Sequence, residues 1–502
     1  MHRSKRLLIL VGVLAVVCAA AFLATRVQEQ QEQVEASGET VLAIDAGNVA
    51  SLAWTSGEAE YAFHKDETWI YDADEAFPVS AEALEELLAP FSSFNTAFVI
   101  RDVTDYAQYG LEEPECTIEI GTADASYTIA LGDMSAMDDQ RYVSIGDGNV
   151  YLAVTDPMDA FAVELSDLID NDEIPQMDTV TALSLTGAVE ESIAYVEEGG
   201  PSYSEEDVYF LQSGEESLPL DTDLVEDYLG GIRDLVLTDY ATYNATEIEL
   251  ASFGLNDPAL TVTVEYEQQA EAAEEGAEPE TTAGALALHI GRVEEEAEES
   301  AEETAESAED ISQEEAQYAY YLRVGDSQIV YNLSDADGEA LFAASYDDLR
   351  HRQLFWGDFD DVTQATILLD NQTYTLTAQT AETAETGEDA DAAAGSAEPT
   401  AAAEDDAEIT WTCNGEPVDV TGIRDKLAAL TAEAFTEEAP ADQLEISLTL
   451  DLNDEDVPQV RIQLYRYDGA SCLAVLDGEP AALVAREDVV DLMEAVRTLL
   501  LG

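Results

Sequence analysis

The stretch YGLEEPECTIEI runs from Tyr109 to Ile120, and the stretch FGLNDPALTVTV runs from Phe253 to Val264. Both spell aromatic-Gly-Leu-x-x-Pro and then continue into residues with high strand propensity. Glycine adopts positive φ without steric cost, and proline disfavours helix in the residue before it, so each stretch predicts a turn that leads from a helix into a strand. Because the same signal occurs twice, a domain's length apart, the sequence predicts repeated domains.

A second signal occurs three times and predicts one amphipathic helix in each of three copies. It reads PVSAEALEELLAPF from Pro78, PLDTDLVEDYLGGI from Pro219 and PVDVTGIRDKLAAL from Pro417. The side chains six, ten and thirteen residues after each proline are apolar, which is the spacing of one helical face. They are Leu84, Leu88, Phe91, Val225, Leu229, Ile232, Ile423, Leu427 and Leu430. The residue two positions after each proline is a predicted N-cap. These residues are Ser80, Asp221 and Asp419.

Strand signals lie on both sides of each predicted helix. Upstream are the openers VASLAW, VTALSL and VTQATILL, each followed by an aromatic strand, ETWIY, DVYFL or EITWT. Downstream, each copy closes with a hairpin, YVSIGDGNVYLA, YLRVGDSQIVYNL or CLAVLDGEPAALVA, and then with a predicted helix, DPMDAFAVELSDLI, DADGEALFAASYDDLR or EDVVDLMEAVRTLL. The third copy keeps a proline and a strand in EAPADQLEISLTL but lacks aromatic-Gly-Leu, so it is the degenerate copy.

These signals predict an α+β chain, in which an N-terminal transmembrane helix precedes three tandem repeats of mostly antiparallel sheet packed with short amphipathic helices. The predicted segments are residues 1–26 as cytoplasmic tip and anchor, 27–40 as linker, 41–175 as copy 1, 176–357 as copy 2 and 358–502 as copy 3. Acidic low-complexity segments near 267–284, 293–316 and 379–408 predict insertions into hairpin connections, because strand signals resume on either side.

The N-terminal segment Leu7 to Ala24 contains no polar residue and would make roughly 27 Å of helix, enough to span a bilayer. Basic residues before it predict a cytoplasmic N-terminus and an extracytoplasmic bulk in a single-pass protein of the cell membrane. A cleaved signal peptide is the alternative, since small residues follow Cys18. A lipoprotein based on Cys18 is a weaker alternative, because Val17 stands where a small residue is needed.

The chain contains 110 Asp and Glu against 18 Lys and Arg, for a formal net charge of -92. Such a charge repels nucleic-acid phosphates and anionic lipid headgroups, so no nucleic-acid partner is expected. It is compatible with a soluble acidic surface or with weak surface binding of divalent cations.

Motifs that carry chemistry are missing from the sequence. It has four histidines, no H-E-x-x-H, no C-x-x-C, no G-x-S-x-G and no phosphate-binding glycine loop. Cys116, Cys413 and Cys472 are expected to be small buried residues. No catalytic, cofactor-binding or metal-binding residue is therefore assigned, and no cofactor is expected.

Two stretches have a functional alternative to their structural interpretation. His351 lies with Arg350 and Arg352 in DDLRHRQLF, which predicts either charge at a helix C-terminus or a docking point for an acidic partner. The loop DLNDEDVPQV from Asp451 offers oxygens at Asp451, Asn453 and Glu455, but it lacks the glycine and the final glutamate of a calcium loop. His64 and His289 are expected to be packed or edge residues of strands.

The chain resembles the bacterial domain-of-unknown-function family numbered 4340. The resemblance rests on the N-terminal anchor, the W-x-Y strand before FPVSAEALEELL, the YGLEEP and FGLNDP turns, the strand ends LGD and HIG, and AASYDDLRHRQL. It implies a membrane-tethered extracytoplasmic protein, some members being similar to auxiliary components encoded beside ABC-type exporters, including ones linked to gliding. The family supplies no catalytic residues to carry over.

The sequence thus favours a non-enzymatic envelope protein that binds the membrane through Leu7 to Ala24 and offers its sheets and helices to an envelope or transporter partner. The alternative is an acidic cell-surface scaffold or weak cation-binding surface protein. An enzyme of a type that the motifs do not reveal is a third hypothesis.

Overall fold

The computed structural model of the chain describes residues 39–57, 59–136, 139–214, 216–269, 281–294, 317–380, 409–454 and 456–501. The predicted anchor, with its span Leu7 to Ala24, lies outside these residues, as do most of the three predicted insertions. Within the described ranges, no helix is both long and apolar enough to cross a bilayer. The described residues divide into two compact units, one formed by those up to Glu173 with 237–246 and 328–331, and the other by the remaining described residues.

Nine strands form the first sheet. They are β1 (Glu39–Leu42), β2 (Val49–Ser56), β3 (Ala59–Lys65), β4 (Trp69–Tyr71), β5 (Phe94–Ile100), β6 (Cys116–Thr122), β7 (Ser126–Met134), β8 (Arg141–Ser144) and β9 (Val150–Ala153). Their order across the sheet is β1-β5-β9-β8-β7-β6-β2-β3-β4.

The second sheet also has nine strands. They are β10 (Thr179–Gly187), β11 (Glu191–Tyr195), β12 (Tyr209–Ser213), β13 (Glu216–Pro219), β14 (Tyr240–Thr242), β15 (Leu260–Gln269), β16 (Thr281–Glu294), β17 (Tyr318–Val324) and β18 (Val330–Leu333). Their order is β13-β12-β11-β10-β15-β16-β17-β18-β14.

The third sheet repeats this number of strands. They are β19 (Val362–Leu369), β20 (Gln372–Thr380), β21 (Ile409–Cys413), β22 (Glu416–Val418), β23 (Ala432–Phe435), β24 (Leu444–Leu452), β25 (Gln459–Arg466), β26 (Ser471–Leu476) and β27 (Glu479–Ala485). Their order is β22-β21-β20-β19-β24-β25-β26-β27-β23.

All three sheets share one strand order. The pattern is the same when the first sheet is read from β4 and the other two are read from β13 and β22. Strands in descending sequence order come first, and four strands in ascending order follow. The strand that comes after the predicted helix in the sequence then lies next to the last of these four. The first sheet has three descending strands instead of four and adds β1 beyond β5. The described residues are thus mostly antiparallel sheet with few helices, and the predicted repetition of sheets is confirmed. The exact limits of the three copies stay predictions.

Eight α-helices lie in the described part of the chain. They are α1 (Ala81–Ser92), α2 (Met158–Phe161), α3 (Thr222–Arg233), α4 (Glu247–Ser252), α5 (Asp335–Phe342), α6 (Tyr346–Leu349), α7 (Thr421–Ala428) and α8 (Arg486–Leu501). In the third copy, α7 and α8 contribute Ile423, Leu427 and Leu492 to the same buried cluster as Ile446 and Ile462 of the sheet. The core of that copy therefore joins its helices to its sheet.

The helices α1, α3 and α7 occupy the three predicted positions, and their predicted apolar faces are buried. The hydroxyl of Ser80 and the carboxylate of Asp221 accept hydrogen bonds from first-turn amides, as predicted for N-caps. The prediction for Asp419 is wrong, because α7 begins one residue later and Val420 is its N-cap. Asp419 instead accepts a hydrogen bond from the amide of Thr421 at 3.0 Å.

The two stretches that revealed the repeat form equivalent turns. Gly110 and Gly254 have φ of +67° and +70°, the left-handed conformation predicted for them. A Cβ on Gly132 of β7 would lie 2.2 Å from the carbonyl oxygen of Tyr109, so the turn backbone rests directly on that glycine. In the second copy, Gly291 of β16 has the same role, since its Cβ would lie 1.9 Å from the carbonyl oxygen of the turn aromatic, Phe253.

The acidic insertions connect strand ends that face each other. Gln269 pairs with Thr281, Glu294 pairs with Tyr318, and Thr380 pairs with Ile409. Each insertion therefore joins two neighbouring antiparallel strands, as predicted. The strands also continue into the first predicted insertion, because residues 267–269 and 281–284 belong to β15 and β16.

The closing helices differ from the prediction of one continuous helix per copy. Only copy 3 has a single helix, α8, whereas copy 1 has α2 and a 3-10 turn at Leu165–Leu168, and copy 2 has α5 and α6. A capping box of Glu164 and Asp167 begins the 3-10 turn, and a capping box of Ser345 and Asp348 begins α6. These boxes satisfy backbone amides locally, so a break in the helix costs little.

Candidate functional site

A cavity of about 240 Å³ lies in the second copy between α3 on one side and α5 and α6 on the other. Its walls are mostly apolar, with Leu224 and Gly231 from α3 and Leu341 and Leu349 from the facing helices. Small-molecule pockets usually measure roughly 300 to 1,000 Å³. This cavity is therefore better suited to one or two large apolar side chains than to a whole cofactor. We call it the α3–α5 groove.

Three contacts hold the walls of the groove in place. The hydroxyl of Tyr228 donates to the carbonyl oxygen of Leu341 at 3.1 Å, and burial raises the pKa of this tyrosine, so it remains a donor. The amide of Asp221 donates to the carbonyl oxygen of Leu349 at 2.9 Å, which ties the start of α3 to the end of α6. Gly338 allows α5 to lie against the ring of Tyr320, since a Cβ there would come within 2.3 Å of it.

The rim of the groove is acidic. Asp227, Asp337 and Asp348 line it and are exposed, and none of the lining residues is basic. Asp348 accepts from the amide of Ser345 at 3.0 Å, and Asp337 accepts from the hydroxyl of Ser334 at 2.7 Å. The side-chain carboxylate of Asp227 has neither a hydrogen bond nor an ion pair to any residue that the structure describes. Its carboxylate is therefore free to bind a cation at the mouth of an apolar cavity.

Two adjacent glycines distinguish α3 from the equivalent helices. Gly230 and Gly231 stand eleven and twelve residues after Pro219, where copy 1 has Ala89 and Pro90 and copy 3 has two alanines. A Cβ at either glycine would meet no atom within 4 Å. The packing of the described residues therefore does not require glycine there, although glycine costs about 1 kcal/mol relative to alanine within a helix.

The basic cluster that was a candidate docking point is already neutralised within its own unit. Nε2 of His351 lies 2.9 Å from Asp207 Oδ1, and Nδ1 lies 3.4 Å from Asp221 Oδ2. The guanidinium of Arg350 lies 2.9 Å from Asp347 and 3.5 Å from the ring centroid of Phe435. These internal partners favour the structural interpretation of the cluster, and the docking hypothesis stays a prediction.

His351 belongs to a buried polar network instead. Asp207, whose side chain is 3% exposed, also accepts hydrogen bonds from the Ser202 hydroxyl and from Trp356 Nε1, the latter at 2.9 Å. The rings of His351 and Trp356 stack at 4.5 Å. Every polar member has a partner, so the network fixes the segment around residue 351 in one conformation.

The remaining candidate residues also have structural partners. His64 is half exposed and pairs with Asp72, and burial together with Arg323 lowers the pKa of His289. Oδ1 and Oδ2 of Asp451 accept hydrogen bonds from two glutamine amides at 2.6 and 2.8 Å, and Glu455 lies outside the described residues. Among the described residues, no group of three or more His, Cys, Asp or Glu is arranged to hold a metal ion.

The three cysteines of the described part are buried and unpaired, as predicted. Burial raises the pKa of Cys116 and of Cys472 to about 11. A thiol that is buried and protonated is a poor nucleophile. These residues therefore serve as packing.

Sequence reasoning missed the α3–α5 groove, because its walls come from segments more than a hundred residues apart. The Gly230–Gly231 pair was nevertheless visible in the alignment of the three proline-led helices. Two glycines within a helix, at positions where the sister helices have larger residues, lower the helix propensity there and point to a packing or functional reason for them.

No curated protein and no solved structure matches the chain. A family described as Domain of unknown function (DUF4340) matches it twice, at residues 69–242 and at residues 211–445. The two matches begin at β4 of copy 1 and end within β24 of the third sheet, so they include both aromatic-Gly-Leu turns, the helices α1 to α7 and the whole second sheet. Together they cover well over half of the chain, which therefore belongs to the DUF4340 family.

Proposed function

We propose that the chain is a non-enzymatic, membrane-tethered extracytoplasmic protein of the bacterial envelope that binds a protein partner through the α3–α5 groove. The groove is the observation that carries this proposal, because it combines an apolar interior with a free carboxylate at its mouth. The membrane tether rests on the apolar sequence from Leu7 to Ala24 and its flanking basic residues.

A component of an ABC-type export system is the proposed partner. The resemblance of family members to proteins encoded beside such exporters supports this choice. A binding role without catalysis is supported by the buried network at Asp207. There the Ser202 hydroxyl donates to a carboxylate, and both nitrogens of His351 face carboxylates. A serine nucleophile would instead need the histidine as its base.

The excess of acidic residues favours a second candidate, an acidic cell-surface scaffold that gathers divalent cations weakly. Its supporting observation is the balance of 110 acidic against 18 basic residues. Such a scaffold needs no groove and no stoichiometric protein partner.

Affinity purification of the full-length, membrane-anchored chain from its own cells, after mild crosslinking, separates the two candidates. The binding protein should recover one envelope or transporter protein in a constant ratio across preparations and salt concentrations. The scaffold should recover none, and its calcium binding, followed by calorimetry, should be weak and distributed over many sites. Recovery of no stoichiometric protein would contradict the proposed binding function.

A further inference from the structure

We infer that the α3–α5 groove receives a basic amphipathic segment of the partner protein. A large apolar side chain of that segment enters the cavity beside Gly231, and a neighbouring Lys or Arg pairs with Asp227. This inference rests on the proposed function, because it names the chemistry of the partner that the groove binds.

The shape of the groove supports an inserted apolar side chain. The cavity is open between the helices, and Leu224, Leu341 and Leu349 contribute to its walls. Recognition of amphipathic segments by grooves between helices depends on apolar anchors of this kind. Burying a Leu-sized anchor removes it from water and so favours binding.

The charge around the groove selects the flanking residues of the segment. Three aspartates line the rim, and two of them are partly committed to neighbouring serines. Asp227 remains free, so it is the carboxylate that we expect to contact the bound cation. An acidic segment would meet repulsion from all three aspartates.

The glycines of α3 support close approach of the bound segment. Gly231 lines the cavity, whereas Gly230 does not. A side chain at position 231 would occupy space that the bound side chain needs. This gives a reason for retaining a residue that disfavours the helix.

Charge also argues for an occupant from another protein. The acidic segments 270–280, 295–316 and 381–408 contain no Lys or Arg, so they lack the cation that the rim selects. The basic residues Arg3, Lys5, Arg6 and Arg26 flank the predicted membrane span. Their predicted place at the bilayer keeps them away from an extracytoplasmic groove.

Fluorescence anisotropy with the detergent-solubilised full chain tests the inference. The probe is a labelled helical peptide of Leu and Lys with one apolar face, and the control peptide has Ser in place of every Leu. We expect Gly231→Leu to lower the affinity for the Leu-Lys peptide by about tenfold or more, because the bound segment loses one buried apolar anchor. Asp227→Asn should weaken it about fivefold, the effect of losing an exposed ion pair.

Two matched variants act as controls. Gly230→Leu adds the same side chain to the same helix outside the groove, and Glu339→Gln removes an exposed charge from α5 that does not line it. Both should bind the Leu-Lys peptide like the wild type. Melting temperatures no lower than that of the wild type establish that the glycine variants are folded. Equal binding of both peptides, or equal binding by the two leucine variants, would overturn the inference.

The same variants in the affinity purification separate this inference from the proposed function. Loss of the stoichiometric protein with Gly231→Leu, and its retention with Gly230→Leu, supports both. Retention with both variants overturns the groove as the docking site, and with it that part of the proposed function, but leaves a protein-binding role at another surface standing. Recovery of no protein by the wild type refutes the binding function itself, and the peptide measurements still decide the chemistry of the groove.

Discussion

Arg141 illustrates how single residues organise copy 1. Its side chain is 8% exposed, and its Nε lies 2.8 Å from Asp156 Oδ1. Its Nη1 donates to Glu115 at 2.5 Å and to the carbonyl oxygen of Gly132 at 2.6 Å. One guanidinium thus connects Glu115 just before β6, Gly132 of β7 and Asp156 just after β9.

Replacing Arg141 with leucine should lower the free energy of unfolding by about 3 kcal/mol or more, because it leaves Asp156 without its partner in a mostly buried place. Urea unfolding followed by tryptophan fluorescence measures this loss. Arg101→Leu is the control, because it changes an exposed arginine of the same copy. Its free energy of unfolding should stay within about 0.5 kcal/mol of the wild-type value. Equal effects of the two substitutions would show that the buried ion pair does not stabilise the fold.

Cys116 and Cys472 should resist alkylation until the chain unfolds. Burial raises each pKa to about 11 from the ordinary 9.0, so folding favours the protonated thiol. The resulting stabilisation is fully present below pH 9 and is lost as the pH rises through 11. Iodoacetamide labelling at pH 8, read by peptide mass spectrometry, should modify both cysteines in urea and neither in the native chain. Native labelling as fast as in urea would contradict this.

The sequence predicted these residues to different degrees. Burial of the cysteines followed from their spacing and chemistry, since no partner or metal motif accompanied them. The role of Arg141 was not predicted, because Glu115 and Asp156 lie 26 and 15 residues away and come together only in the folded sheet.

At the scale of elements, glycines with different surroundings should respond to alanine with opposite signs. Gly231→Ala should raise the free energy of unfolding by up to about 1 kcal/mol, since the site is helical and has open space. Gly291→Ala should lower it by roughly 1 to 3 kcal/mol, because its Cβ would lie 1.9 Å from the carbonyl oxygen of Phe253.

Thermal unfolding of the two variants, measured side by side, checks this prediction. Gly230→Ala is the control for Gly231→Ala and should stabilise to a similar extent, since both glycines lie in α3 with no atom within 4 Å of an added Cβ. A destabilising Gly231→Ala would mean that the helix itself needs glycine. In that case Gly231 would be retained for the helix and not for a bound segment.

Elements with a strong local pattern were predictable. The faces of α1, α3 and α7 follow from apolar spacing, and the turns at Gly110 and Gly254 follow from glycine and proline. The break between α5 and α6 was not predicted, because the capping box at Ser345 competes with an apolar pattern that continues through it. The α3–α5 groove was not predicted either, since sequence spacing does not show which helices face each other.

On the scale of the whole molecule, the shared strand order explains how a chain with such an acidic composition folds. The strands of each sheet carry buried apolar side chains. The low-complexity acidic segments connect the paired ends of neighbouring strands. Because antiparallel partners need only a short connection, these segments add charge without changing the register of the strands. The repeated helix and turn signals, and not the composition, therefore predicted the repeated sheets.

Replacing residues 381–408 with Asn-Gly should leave the third sheet intact and stabilise it. Thr380 and Ile409 are paired across β20 and β21, so a two-residue turn can close the same hairpin. Loop closure costs about 0.6 kcal/mol per doubling of length, and the change removes almost four doublings, which predicts a gain of roughly 2 kcal/mol. Urea unfolding, with circular dichroism as the check on strand content, measures this gain in the free energy of unfolding.

Replacing the same residues with a Gly-Ser segment of equal length is the control, because it removes the charges but keeps the length. A gain of equal size in the control would show that charge repulsion, and not loop length, opposes folding at this connection.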